Sequence, residues 1–209
     1  MVLVLSTGVR RVEYAQTSRT KIDWVWVQLD QQQPPSSQPY AFIDGDFTFL
    51  DKNCKQLHGK ARANAAFVRI RWRTQKNKNN GETKLFAIAN DARMCPVGAA
   101  ERIQARFERL RTNCSVLGIS AEGCITASAI TTALRACAAG VHNVDLDDSM
   151  LKQYTPHSLR IGACVLLYEK GKSAVFIKDR WRWKSDTFMD YLRDTASVAR
   201  QHAAALVRA

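Results

Sequence analysis

The chain has 209 residues, of which 46% are hydrophobic and 24% charged. That composition excludes a largely disordered chain and suits one compact core rather than two domains side by side, so residues 1–209 are read as a single domain. Thirty-one Lys and Arg against 19 Asp and Glu leave a net charge of +12, which calls for a polyanionic partner.

The opening VLVLSTGVRRVEYAQ reads as the end of a helix, a turn at Gly8 and a new helical stretch through Tyr14. Residues 31–39, QQQPPSSQP, read as a polar, Pro-rich loop insertion with nothing to bury. From Tyr40 to Ala89 the pattern turns to period two in AFIDGDFTFL, AFVRIRWR and TKLFAIA, which predicts a small antiparallel sheet. In the second of these, Val68, Ile70 and Trp72 share one face and Arg69, Arg71 and Arg73 the other. Residues 55–84 carry nine basic side chains against the single acid Glu82, so most of the net charge sits here. Such a run fits a solvated basic face as well as a nucleic-acid surface. The Asn-Gly in QKNKNNGE marks a hairpin, placing Lys76 and Lys78 at or beside its tip.

Beyond Asp91 the pattern is helical. Pro96 opens a predicted helix running to about Arg111, a second spans Ser128–Ala139, and a third spans Ser158–Glu169 until Gly171 stops it. Shorter and longer helices are expected after it. Ser185 is the predicted N-cap of the last, with Asp186 in its first turn; that helix carries Tyr191 and is drawn toward Val207. The expected class is therefore α+β, mainly helical, with a small antiparallel sheet near the amino end. Six scattered cysteines without a C-x-x-C pair read as reduced, mostly buried thiols. No apolar run is long enough to cross a membrane, and none at the amino end resembles a signal peptide, so an intracellular protein is expected.

Candidate chemistry lies in four separated segments. YTPHSLRIG puts His157 and Arg160 at spacing i, i+3 at a helix start, on one side. About thirty residues later RWRWKSDTFMDYLRD brings Trp181, Trp183 and Lys184 shortly before Tyr191. The amino end supplies STGVRRVEY with Arg10, and the hairpin supplies the lysines. Taken singly, each has an ordinary explanation. Arg10 with Glu13 fits a helix-surface ion pair, His157 a helix terminus, Trp183 and Tyr191 a core, and the hairpin lysines solvated residues.

Taken in order, these segments resemble the tyrosine recombinase (phage integrase) family. That family carries an arginine in a T-G-x-R-x-x-E box, a hairpin lysine, H-x-x-R, a His or Trp, and a tyrosine nucleophile. The wording of QKNKNNGET, CPV, PHSLRIGA and RWKSDTFMDYLR is most similar to its eukaryotic mobile-element, Crypton-like branch. The resemblance spans Thr7 to about Thr195 and implies the recombinase catalytic-domain fold.

It further implies DNA strand cleavage and rejoining through a 3′-phosphotyrosyl link, with double-stranded DNA as partner and no metal or nucleotide cofactor. The implied catalytic set is Arg10, Lys76, His157, Arg160, Trp183 and Tyr191, with Lys78 the rival to Lys76 as general acid. Arg69, Arg71, Arg73, Lys78 and Lys184 are expected to contact DNA. The family's glycine two positions before its His or Trp is here Trp181, and Arg182 precedes Tyr191 by nine residues and Trp183 by eight. With Met1 so near Arg10, the family's separate amino-terminal DNA-binding domain is expected to be absent. The tail with Ala196, Ala199, Ala203 and Leu206 is expected to dock on a neighbouring copy or fold back, giving a homo-oligomer on DNA, in the nucleus if the host is eukaryotic. A DNA-binding relic that no longer cuts, and a type IB topoisomerase, are the competing expectations.

Overall fold

The computed structural model describes residues 2–15, 41–73, 75, 80–110, 119–120, 123–192, 199–200 and 203. Two short helices open it, α1 (Val2–Thr7) and α2 (Arg11–Tyr14). Strands β1 (Phe47–Leu50), β2 (Gln56–Leu57), β3 (Phe67–Trp72) and β4 (Glu82–Ala87) follow, with a 3-10 helix at Gly59–Asn64. Then come α3 (Pro96–Leu110), a two-strand ribbon of β5 (Ile119–Ser120) and β6 (Gly123–Cys124), and α4 (Ala127–His142). After a 3-10 turn at Ser149–Gln153 come α5 (Pro156–Glu169), α6 (Ala174–Arg180) and a 3-10 helix at Asp186–Tyr191. The class is α+β, as expected: helices around one small antiparallel sheet.

That sheet has the order β2-β1-β3-β4, every neighbour antiparallel. The β3–β4 register pairs Trp72 with Glu82, so β3 and β4 are the two arms of the hairpin that Asn80-Gly81 announces. Alternation sorts β3 as the sequence predicts: Val68, Ile70 and Trp72 are buried, and Arg69 and Arg71 are exposed. The dry face packs with Phe42, Phe47, Phe49 and Phe86 against Val97, Ala99 and Ala100 of α3 and Leu3 and Val4 of α1. Each such large side chain contributes about 1.5–3 kcal/mol.

Arg73 corrects the predicted cationic face. It lies beyond β3, donating Nε to buried Asp46 at 2.8 Å and Nη2 to the Ala41 carbonyl at 2.8 Å. Its charge is thus spent inside the protein, holding the segment before β1.

Helix limits follow capping chemistry. Thr126 caps α4 by accepting from the Ala129 N–H, and the helix ends at left-handed Asn143. Thr155 and Ser158 form a reciprocal cap on α5 with Pro156 in the first turn, and Gly171 follows its end at φ +77°. The Ser173 hydroxyl accepts from the Phe176 N–H to start α6.

A second core joins α5, α6 and the last turn through Ala163, Cys164, Ile177, Trp181, Phe188 and Leu192. Here the last predicted helix is corrected. The segment carrying Tyr191 is one 3-10 stretch, and the Ser185 hydroxyl bonds Thr187 instead of capping a backbone N–H. Among the described cysteines Cys95 and Cys164 are buried while Cys54 and Cys137 are exposed, all as free thiols, so burial is not the rule.

Ala199 and Ala203 are helical, whereas Ala196 and Leu206 lie outside the described residues, as does the 31–39 loop. Among the described residues, no helix is long and apolar enough to cross a membrane.

Candidate active site

The site begins at the Gly8 turn. Gly8 adopts φ +63° and returns its N–H to the Val4 carbonyl at 2.9 Å. A Cβ there would meet the Trp181 ring at 2.6 Å, so this position needs glycine on two counts. The turn delivers Arg10 to the N-terminal boundary of α2 in extended backbone, where its N–H donates to Glu13 Oε2 at 2.7 Å.

Glu13 is the electrostatic hub and is only 1% exposed. Besides the Arg10 N–H it accepts from Trp72 Nε1 at 3.1 Å and from Arg182 Nη1 and Nη2 at 3.2 and 3.1 Å. The Arg10 guanidinium stands 3.7 Å away. This is no surface ion pair: the carboxylate is buried, and its closest guanidinium comes from the far end of the chain. Arg182 also lies 3.7 Å over the Trp72 ring and donates to Gln75 Oε1 at 3.1 Å.

Two consecutive carbonyls of the turn after α6 hold the two arginines of the implied catalytic set. Arg160 Nη2 donates to the Trp181 carbonyl at 2.6 Å, and Arg10 Nη2 to the Arg182 carbonyl at 3.1 Å. Arg160 Nη1 donates to the Gly8 carbonyl, closing a ring of contacts around the turn. Burial, joined by Arg10 and Arg182 and opposed by Glu13, lowers the Arg160 pKa to about 10. Arg10 is lowered too, by burial first. Arg160 remains charged at neutral pH.

The aromatic members gather on the same side. The Arg160 guanidinium sits 4.7 Å over the Trp183 ring, a cation–π contact. The Tyr191 ring lies 6.5 Å from that of Trp183 and 6.3 Å from that of His157, edge-on to the latter. Burial lowers the pKa of His157, and Arg160 and Arg11 lower it further, favouring the neutral imidazole. Arg10, His157, Arg160, Trp183 and Tyr191 thus form one cluster drawn from three segments.

Trp183 takes a packing place in the cluster. Its Nε1 is buried without a hydrogen bond of normal geometry, next to the Cys164 thiol, whose pKa burial pushes up to about 11. The indole therefore packs.

Lys76 and Lys78 lie outside the described residues. Their flank is described: Gln75, one residue before Lys76, accepts from Arg10 Nη1 at 3.4 Å as well as from Arg182, and its N–H donates to Asn80 Oδ1 at 2.8 Å. The hairpin base therefore touches the cluster. Lys184, Arg69 and Arg71 are exposed. Sequence reasoning missed Gln75 and Trp72 as members of the site and the buried placement of Glu13. The E of the T-G-x-R-x-x-E box was the available signal for Glu13, whereas nothing local marks Gln75.

No family model, curated protein or solved structure matches this chain, so functional assignment rests on these residues and their arrangement.

Proposed function

We propose that this chain is a tyrosine recombinase catalytic domain that cuts and rejoins double-stranded DNA. The observation that carries the proposal is the turn at Trp181-Arg182. Its carbonyls hold Arg160 and Arg10, and the chain leaving it supplies Trp183 and Tyr191 to the same cluster. The α+β architecture with its hairpin fits the family resemblance.

In this reading the two guanidiniums bind the non-bridging oxygens of one phosphodiester and offset the charge that attack adds. The Tyr191 oxygen bonds to phosphorus as the P–O5′ bond breaks, leaving a 3′-phosphotyrosyl link that conserves the energy of the cleaved bond. Neutral His157 takes the phenolic proton, and Lys76 gives one to the departing O5′. Trp183 keeps Arg160 in place by stacking. Metal and nucleotide cofactors have no role in these steps.

The direct test is a nicked suicide duplex, followed by denaturation and a search for a covalent adduct. Wild type is expected to form it and Tyr191→Phe to lose it. No wild-type adduct, or one that survives Tyr191→Phe, refutes the enzyme. The second reading is a DNA-binding relic of such a recombinase, favoured by one observation: both Arg160 Nη atoms already donate to backbone carbonyls, as a structural arginine's would. DNA binding with no adduct would select it, and unselective plasmid relaxation would select a topoisomerase.

Two further results are expected. Because His157 is lowered below its ordinary 6.5, its base-competent neutral form prevails above a midpoint under 6.5. The adduct rate should therefore rise with pH and level off early, and His157→Asn should flatten that limb; a wild-type midpoint above 6.5 contradicts the assignment. The paired change Arg69→Gln, Arg71→Gln should weaken DNA binding and reduce the slope of log affinity against log salt by about 1–2, at about 0.9 per phosphate contact. An unchanged slope makes that strand face solvated surface only.

A further inference from the structure

Arg182 occupies a costly place. Its side chain is 0% exposed, and its backbone sits at φ +59°, a left-handed conformation that costs a non-glycine residue about 1 kcal/mol or more. A buried guanidinium is also expensive unless paired and hydrogen-bonded. Arg182 offsets most of that cost with a two-point contact to Glu13, a third bond to Gln75 and a cation–π contact with Trp72, its buried Nε alone having no hydrogen bond among the described residues. Its neighbour Trp181 is 1% exposed, with its ring against Gly8. The two carbonyls that hold Arg160 and Arg10 lie on this doubly anchored dipeptide.

We propose that Arg182 is a positioning residue, whose buried side chain fixes the turn so that its backbone aims Arg10 and Arg160 at one anion. The anion and its reaction rest on the recombinase reading. The geometric half, that Arg182 orders two other arginines, can be tested without catalysis. The competing explanation is that Arg182 only neutralises Glu13. The double change Arg182→Met, Glu13→Gln separates them, because it removes the charge and its countercharge together while freeing the turn.

Two measurements are needed on the full chain. First, adduct formation on the nicked duplex is followed with DNA concentration. The double variant is expected to lose about 100-fold in the saturated rate, the usual scale for a misplaced reacting group, with little change in half-saturating DNA. Recovery of the wild-type rate in the double variant would overturn the proposal. Second, the side-chain Nε–H signals of Arg10 and Arg160 in nitrogen-15-labelled, DNA-free protein are assigned through Arg10→Lys and Arg160→Lys. Both are expected to be dispersed and slow to exchange in wild type and to lose this in the double variant; unaltered signals would refute the role.

Arg182→Lys serves if the double variant does not fold. It keeps a cation beside Glu13 but lacks the planar fork that also reaches Gln75, so the same losses are expected, and wild-type behaviour counts against us. A wild-type protein that forms no adduct sinks the recombinase reading alone, since the nitrogen signals still decide Arg182.

Discussion

Glu13→Gln is expected to lower the unfolding free energy by about 3–5 kcal/mol, the cost of removing one partner from a buried ion pair. The substitution keeps shape and leaves an oxygen for Trp72 Nε1, so the loss is electrostatic. Arg182, with no solvent exposure, would lose its carboxylate while Arg10 stands close by. Urea titration of both proteins measures the change. A loss under about 1 kcal/mol, the scale of an exposed pair, would mean that the carboxylate is not the hub described here. Inorganic phosphate should recover part of the loss by supplying the missing negative charge, which binding linkage converts into stability.

The second large effect concerns Arg160→Lys. One ammonium cannot donate to the Gly8 and Trp181 carbonyls and also grip a phosphate across two oxygens. Under single-turnover conditions the adduct rate is expected to fall about 10²–10³-fold, as when a donor to developing negative charge is removed. Stability should drop as well, because an unsatisfied buried carbonyl costs about 1–3 kcal/mol. If the rate stays within a few-fold of wild type while stability falls, Arg160 is structural and the relic reading gains.

Periodicity made the sheet and the three main helices legible. The alternation in FVRIRW required one dry face, and Pro96 and Gly171 delimited helices through backbone chemistry that acts locally, while the start expected near Ser158 falls two residues earlier, at Pro156 behind the Thr155 cap. The residues named from the motifs converge in the cluster, apart from the lysines, which are not described. What sequence patterns could not supply was partnership across distance. Arg73 reads as the third tooth of a cationic strand until Asp46, 27 positions earlier, takes its charge. Arg182 is marked in the sequence only by its spacing to Tyr191, and only the fold brings Glu13 to it. The last predicted helix failed for a related reason: Ser185 has a capping residue's identity, but packing of Phe188 and Leu192 against α5 and α6 tightens the segment into a 3-10 turn.

The bond from Arg10 to the Arg182 carbonyl spans 172 positions. Contacts of such separation close late, because the loop they seal must first be drawn together. During synthesis the sheet and α3 can collapse while the remainder is still emerging, since their strands pair with near neighbours. The arginine cluster must wait for the final turn to leave the ribosome, so a nascent or truncated chain should be compact yet unable to assemble it.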